Sequence, residues 1–324
     1  MLTISNSSSL YGQLFELEIP IHFSSSSSSL LSINSSTSDL VQITRSVLFF
    51  VPYSLNSKKD LPLLIAFHGS NENGSIFRTR TTCFGYDELA YKNQFVIAYP
   101  SGYDGNWNDS RRAVNYPAKI ANVDDLRFTR EIIDVSHKHW FTSPSKTLII
   151  GYSNGGHMCY KIALELGSSL IAGVGIHCAN LPTWENSDGD PLEADAVPIC
   201  IINGTADPVN PWVGGVVSID GKGEGTVNAR GAHQSSMETM DYFVNRFLER
   251  GDQLETEEIE DEEELLDIHQ FRSIIDGRLK VQLIAMIGEG HYVPVGTGEK
   301  KALVIGPRRG AVHAPRCGKL NSLK

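Results

Sequence analysis

The segment TLIIGYSNGGHMCYKIALELG, residues 147–167, decides how the rest of the chain is read. Thr147–Tyr152 is short and almost wholly apolar, the pattern of a strand buried on both faces. From Asn154 to about Leu166 the spacing is helical, and Gly167 is placed to cap that helix. Between the two stand Gly151, Ser153 and Gly155 in the spacing G-x-S-x-G. A strand that turns at once into a helix strains the corner residue and crowds the residues two before and two after it. Glycine alone lacks the side chain that would clash there. Ser153 is therefore expected to hold its Oγ above a sheet, at the positive end of a helix.

Outward from this corner the chain alternates strands and helices. Val41–Pro52, Leu61–Phe67, Phe95–Tyr99, Leu170–His177, Pro198–Asn203 and Leu279–Ile287 read as strands. Phe84–Asn93, Asp124–Trp140 and Gln234–Arg250 read as helices, with Asp124 and Asp125 at a helix start, where negative charge is favoured. The alternation predicts a mostly parallel central sheet with helices on both faces. Asn180–Val197 is too short for a substantial helical cap, so no large cap domain is expected. No internal repeat is visible.

A serine hydroxyl is a poor nucleophile until a base takes its proton, and the base needs an orienting acid. On a sheet of this kind the acid and base follow the serine in that order, each just after a later strand. Asp207, in the turn GTADP after Pro198–Asn203, fits the acid; His291, in GEGH after Leu279–Ile287, fits the base. His233 and His269 fall in or near helical segments and His313 in an irregular tail, while Asp188, Asp190, Asp195 and Asp220 lie in loops with weaker strand signals. His68-Gly69-Ser70 follows the strand Leu61–Phe67 directly, and a tight turn there presents backbone N–H groups to a developing oxyanion. Ser70 is read as one donor and Asn154, after the serine, as the other; His68 is read as a brace for the turn. None of this chemistry calls for a metal or an organic cofactor.

Composition narrows the rest. Eleven of the 38 acidic residues lie between Glu249 and Asp267 beside one basic residue, Arg250, and elsewhere 27 acidic and 27 basic residues balance. A near-neutral body offers no general field for nucleic acid. No apolar run reaches the roughly 18–20 residues that cross a bilayer, so no membrane role is expected. Fourteen of the first 40 residues are serine and no Lys or Arg precedes Arg45. Residues 1–40 are read as a largely flexible head without the basic start of a secretory signal, although Tyr11–Phe23 has strand character. A cytoplasmic protein is the resulting expectation. Five widely spaced cysteines without a CxxC suit reduced core residues. The organisation read is thus a head over 1–40 and a catalytic domain over 41–298. An acidic insertion at 252–267 is expected as a solvated excursion, and 299–324 as an irregular basic tail.

HGS after LLIAF, GNWND at Gly105–Asp109, VDD at Val123–Asp125, GYSNGGHMCY, NGTADPVNPW and GEGH together resemble the polyhydroxybutyrate depolymerase branch of the α/β-hydrolases. Feruloyl and acetylxylan esterases are close relatives in that branch. The resemblance runs from about Val41 to Val295. It implies the α/β-hydrolase fold and a serine esterase with Ser153 as nucleophile, Asp207 as acid, His291 as base and oxyanion donors at Ser70 and Asn154. It also implies that Trp107 and Trp212 are walls of a site for an ester, a hydroxyalkanoate oligomer or a cell-wall ester. Three features depart from that pattern. The tryptophan of G-H-x-W-P is absent from His291-Tyr292-Val293-Pro294, the signal peptide and disulfides of many members are not seen, and no closing helix is recognisable in the tail. A catalytically inactive hydrolase-fold binding protein, and a thioesterase or peptidase, are the rival readings.

Overall fold

Neighbouring strands of the molecule sort their side chains by parity, and that fixes the layers. Leu63, Ile65 and Phe67 enter one apolar cluster with Val96 and Ala98, while Ala66, Ile97 and Tyr99 enter a second. Successive strand residues point to opposite faces, so the two clusters are the two sides of one sheet. The computed structural model describes residues 2–4, 11–24, 40–55, 59–188, 194–218, 229–259 and 265–294.

The strands are β1 (Leu2–Ile4), β2 (Gly12–Ser24), β3 (Leu40–Pro52), β4 (Leu61–Phe67), β5 (Val96–Pro100), β6 (Thr142–Tyr152) and β7 (Gly173–His177). They continue with β8 (Ile199–Gly204), β9 (Gly215–Ser218), β10 (Ala229–His233), β11 (Leu254–Ile259), β12 (Leu266–Ser273) and β13 (Leu279–Met286). The helices are α1 (Gly74–Ile76), α2 (Gly85–Asn93), α3 (Pro117–Ile120), α4 (Asp125–Trp140), α5 (Asn154–Leu166) and α6 (Ser236–Leu248). Eleven strands form one sheet in the order β1-β2-β3-β5-β4-β6-β7-β8-β13-β12-β11, and β9 and β10 form a separate pair. From β5 through β13 the neighbours in that order run parallel, which requires crossover helices between them. Phe128, Ile132 and Ile133 of α4, Met158 and Ile162 of α5, and Met240 and Phe243 of α6 fill the larger cluster; Tyr86 and Ala90 of α2 fill the smaller. Each such side chain, fully buried, contributes about 1.5–3 kcal/mol relative to exposure.

Helix starts follow the sequence signals. The Asp124 carboxylate accepts from the Arg127 N–H at 2.8 Å, and Ser235 with Glu238 forms a reciprocal capping box on α6. Among the described residues no helix is long and apolar enough to cross a membrane.

One expectation needs correction. Within the head read as largely flexible, residues 12–24 form a 13-residue strand paired with β3 along its whole length. Leu17, Ile19 and Ile21 face inward between exposed Glu16, Glu18 and Pro20, a half-buried alternation that the surrounding serines obscure. Residues 25–39, including most of the serine run, lie outside the described residues. Of the acidic insertion, residues 254–259 lie at the sheet's edge, where β11 pairs antiparallel with β12 and β12 with β13, while residues 260–264 lie outside the described residues. Exposed carboxylates on an edge strand disfavour pairing with another chain. The tail over 299–324 lies outside the described residues.

Candidate active site

The corner after β6 has the strain that its sequence requires. Ser153 sits at φ 54°, ψ −118°, a conformation that few non-glycine residues adopt. A Cβ on Gly151 would stand 2.2 Å from the Gly155 carbonyl oxygen, and one on Gly155 would stand 2.3 Å from that of Phe67. Both glycines are therefore required by close backbone approach. The Ser153 N–H donates to the His177 carbonyl at 2.9 Å, tying the corner to the end of β7.

Asp207 and His291 leave the ends of β8 and β13, which are adjacent in the sheet. Their loops are stitched together: Ala206 N–H donates to the Glu289 carbonyl at 3.0 Å, and Gly288 N–H to Thr205 Oγ1 at 2.8 Å. His291 Nδ1 and Asp207 Oδ2 lie 2.7 Å apart, and both residues are buried. The other carboxylate oxygen accepts from the N–H groups of Val209 at 2.8 Å and Asn210 at 2.9 Å. A carboxylate so held is an acceptor, so Nδ1 carries the imidazole proton and Nε2 is left to receive one.

Two further residues complete this corner, and sequence reasoning passed over both. Tyr152 donates its hydroxyl to the His291 carbonyl at 3.2 Å, and the two rings lie 5.1 Å apart. Buried Cys178 donates its thiol to the Tyr292 carbonyl at 3.2 Å. Cys178, Asp207 and His291 also bring ligand-type atoms within 4.8 Å of one another, the residues best placed to hold a metal ion among those described. No sequence spacing announces that meeting.

The turn after β4 also reaches this corner, since a Cβ on Gly69 would stand 3.6 Å from the Ser153 Cβ. His68 Nδ1 donates to the Gly69 carbonyl at 2.7 Å and Nε2 accepts from the Gly102 N–H at 2.8 Å, so both ring nitrogens are occupied by a neutral imidazole. Burial pushes its pKa down to about 4. Gly69 N–H donates to Glu72 at 3.3 Å, whereas the N–H groups of Ser70 and Asn154 reach no acceptor among the described residues. Ser70 Oγ reaches the Tyr116 hydroxyl at 3.3 Å.

Trp107, expected as a substrate wall, is fully buried. Its indole N–H donates to the His68 carbonyl and its backbone N–H to Asn154 Oδ1, each at 2.9 Å. Asn154 Nδ2 in turn donates to Asp109 at 2.7 Å, and Asp109 pairs with Arg111 at 2.6 Å. Burial works to raise the Asp109 pKa, but the Arg111 guanidinium beside it holds the carboxyl below the usual range. The GNWND segment thus braces the turn after β4 against the start of α5. Trp212 is half-buried in the loop after Asp207, packed against the larger core cluster.

No family profile matches the sequence. A protein of Nocardia uniformis subsp. tsuyamanensis named "Putative esterase NocK" is 26% identical over 154 residues, which is 47% of this chain and 42% of that protein. The chain therefore spans less than half the length of this relative. The poly(3-hydroxybutyrate) depolymerase LpqC of Bordetella parapertussis overlaps 76% of this chain and 80% of its own, at 14% identity and a TM-score of 0.48. The acetyl xylan esterase of Aspergillus awamori overlaps 78% of this chain and 90% of its own, at 17% identity and a TM-score of 0.50. With the parallel sheet, its strand order and the strained corner after β6, that overlap gives the architecture: the chain has the α/β-hydrolase fold.

Proposed function

We propose that the protein is a serine esterase that hydrolyses carboxylic esters through an acyl-enzyme. The observation that carries this reading is the buried 2.7 Å contact between His291 and Asp207, on loops beside the strained Ser153 corner. In the first step His291 Nε2 takes the Ser153 proton as Oγ attacks the ester carbonyl. Asp207 keeps the imidazole in the productive tautomer and stabilises the imidazolium. The negative charge that forms on the carbonyl oxygen is received by the N–H groups of Ser70 and Asn154, each such donor being worth about 3 kcal/mol to the transition state. His291 then protonates the leaving alcohol, and afterwards activates a water that releases the acid.

The substrate class follows the sequence resemblance: a hydroxyalkanoate ester first, a feruloyl or acetyl ester of cell-wall carbohydrate second. Parallel rates on hydroxybutyrate oligomers, methyl ferulate and acetylated xylan test it. The expected result is turnover of at least one of these esters, abolished by Ser153→Ala. Ester turnover that survives this substitution would refute the mechanism.

A further inference from the structure

Beside the turn that carries Ser70 lies a guanidinium that no carboxylate among the described residues answers. Arg230 is 9% exposed, and its one polar side-chain contact among the described residues is from Nη1 to the Asn115 amide oxygen at 3.2 Å. No salt bridge reaches it among the described residues. A cation that is nine-tenths buried without a counter-charge is costly, and the cost is relieved when an anion is brought to it.

Its surroundings are built to the same end. Arg230 Cζ lies 4.8 Å from the centre of the Tyr116 ring, and Arg111 Cζ lies 5.6 Å from the same ring. Asp109 neutralises Arg111, which leaves Arg230 as the uncompensated charge of the pair. The Tyr116 hydroxyl receives Ser70 Oγ, so a single phenol ring separates Arg230 from the turn at the reaction centre. His233, three residues on in β10, is buried with neither ring nitrogen paired, and its ring stands 4.7 Å from that of His157, one turn into the helix that Ser153 opens. The Arg230 Nε and the His157 Nδ1 are likewise buried without a partner.

The backbone that carries Arg230 is irregular at this point. The pairing of β10 with β9 slips between Ala229 and Ala232, where Gly231 takes φ +80°. An irregularity of this kind re-aims the side chains around it. Asn186 lies so close beneath Gly231 that a Cβ there would stand 2.3 Å from its amide, and Asn186 Nδ2 donates to the carbonyls of Arg230 and Ala232 at 3.1 Å each.

We propose that Arg230, with Tyr116 beside it, forms a carboxylate-binding pocket next to the reaction centre, and that the substrate is an ester bearing a free carboxylate. The substrate half of this rests on the esterase reading of Ser153. A hydroxyalkanoate oligomer carries such a group at its acid end, whereas an acetyl ester of a neutral sugar carries none.

The test compares monomethyl glutarate with methyl pentanoate as substrates of the full chain, for wild type, Arg230→Gln and Arg230→Lys, alongside calorimetric binding of glutarate. Wild type is expected to prefer the anionic ester by about tenfold to a hundredfold in kcat/KM, chiefly through KM, as a hydrogen-bonded charge pair provides. Arg230→Gln should lower the ratio of anionic to neutral turnover by about tenfold or more, with Arg230→Lys recovering part of it and glutarate binding changing in parallel. Glutarate binding that depends on Arg230 without turnover of either ester would uphold the pocket and refute the esterase reading. Equal rates on the two esters in wild type, an equal loss on both in Arg230→Gln, or no binding of glutarate by wild type would overturn the pocket.

Discussion

Asp207 receives two backbone N–H groups on one oxygen and the imidazole on the other, so its geometry is set by its own turn. Asp207→Asn keeps that shape but turns an acceptor into a donor, favouring the wrong imidazole tautomer. A loss of about 10^3–10^4 in kcat is expected with the thermal melt little changed, measured on a soluble aryl ester. Ser153→Ala and His291→Ala should each remove ester turnover while leaving the fold intact by circular dichroism. Trp107 belongs to a different category of residue. Trp107→Phe keeps the ring but deletes the hydrogen bond to the His68 carbonyl, so a stability loss of about 1–3 kcal/mol is expected in denaturant titration. That Ser153, Asp207 and His291 follow strand ends was legible because apolar runs and glycines announce such turns. The sequence did not announce burial, and an aromatic beside catalytic motifs reads the same whether it lines a cleft or braces a turn.

At the scale of elements, continuous apolar runs such as Leu61–Phe67 were readable because a strand covered on both faces carries no polar alternation. The strand over Gly12–Ser24 was harder, since its inward residues alternate with charges and its pairing with β3 is a long-range contact. The acidic run is legible only in part: charge density predicts exposure, and an edge strand is exposed while still paired on one side. Glu255 and Glu257 lie exposed on β11, the outermost strand at that side of the sheet. Replacing both by threonine should preserve the strand and promote edge-to-edge association, seen as a concentration-dependent rise in mass by light scattering. A protein that stays at its original mass would show that the carboxylates do not guard that edge.

Over the whole molecule, four buried histidines are kept neutral by desolvation. Burial holds His68 and His177 at about 4 against an ordinary 6.5, and pushes His157 and His233 well down too. A folded-state pKa below the unfolded one means that the unfolded chain binds more protons between those values. Stability from these groups is therefore full above pH 6.5 and is lost as pH falls toward 4. Each contributes at most about 1.4 kcal/mol per pH unit within that window. Thermal melts from pH 7.5 to 4.5 should show this fall, and His177→Leu should make it shallower. The whole account depends on one hydroxyl being both exposed and activated in the folded chain, and covalent labelling reads that directly. Incubation of the full chain with a p-nitrophenyl phosphonate, followed by peptide mass mapping, is expected to place a single adduct on Ser153 and to abolish ester hydrolysis in proportion. An unlabelled Ser153 in folded protein that still hydrolyses esters would contradict it.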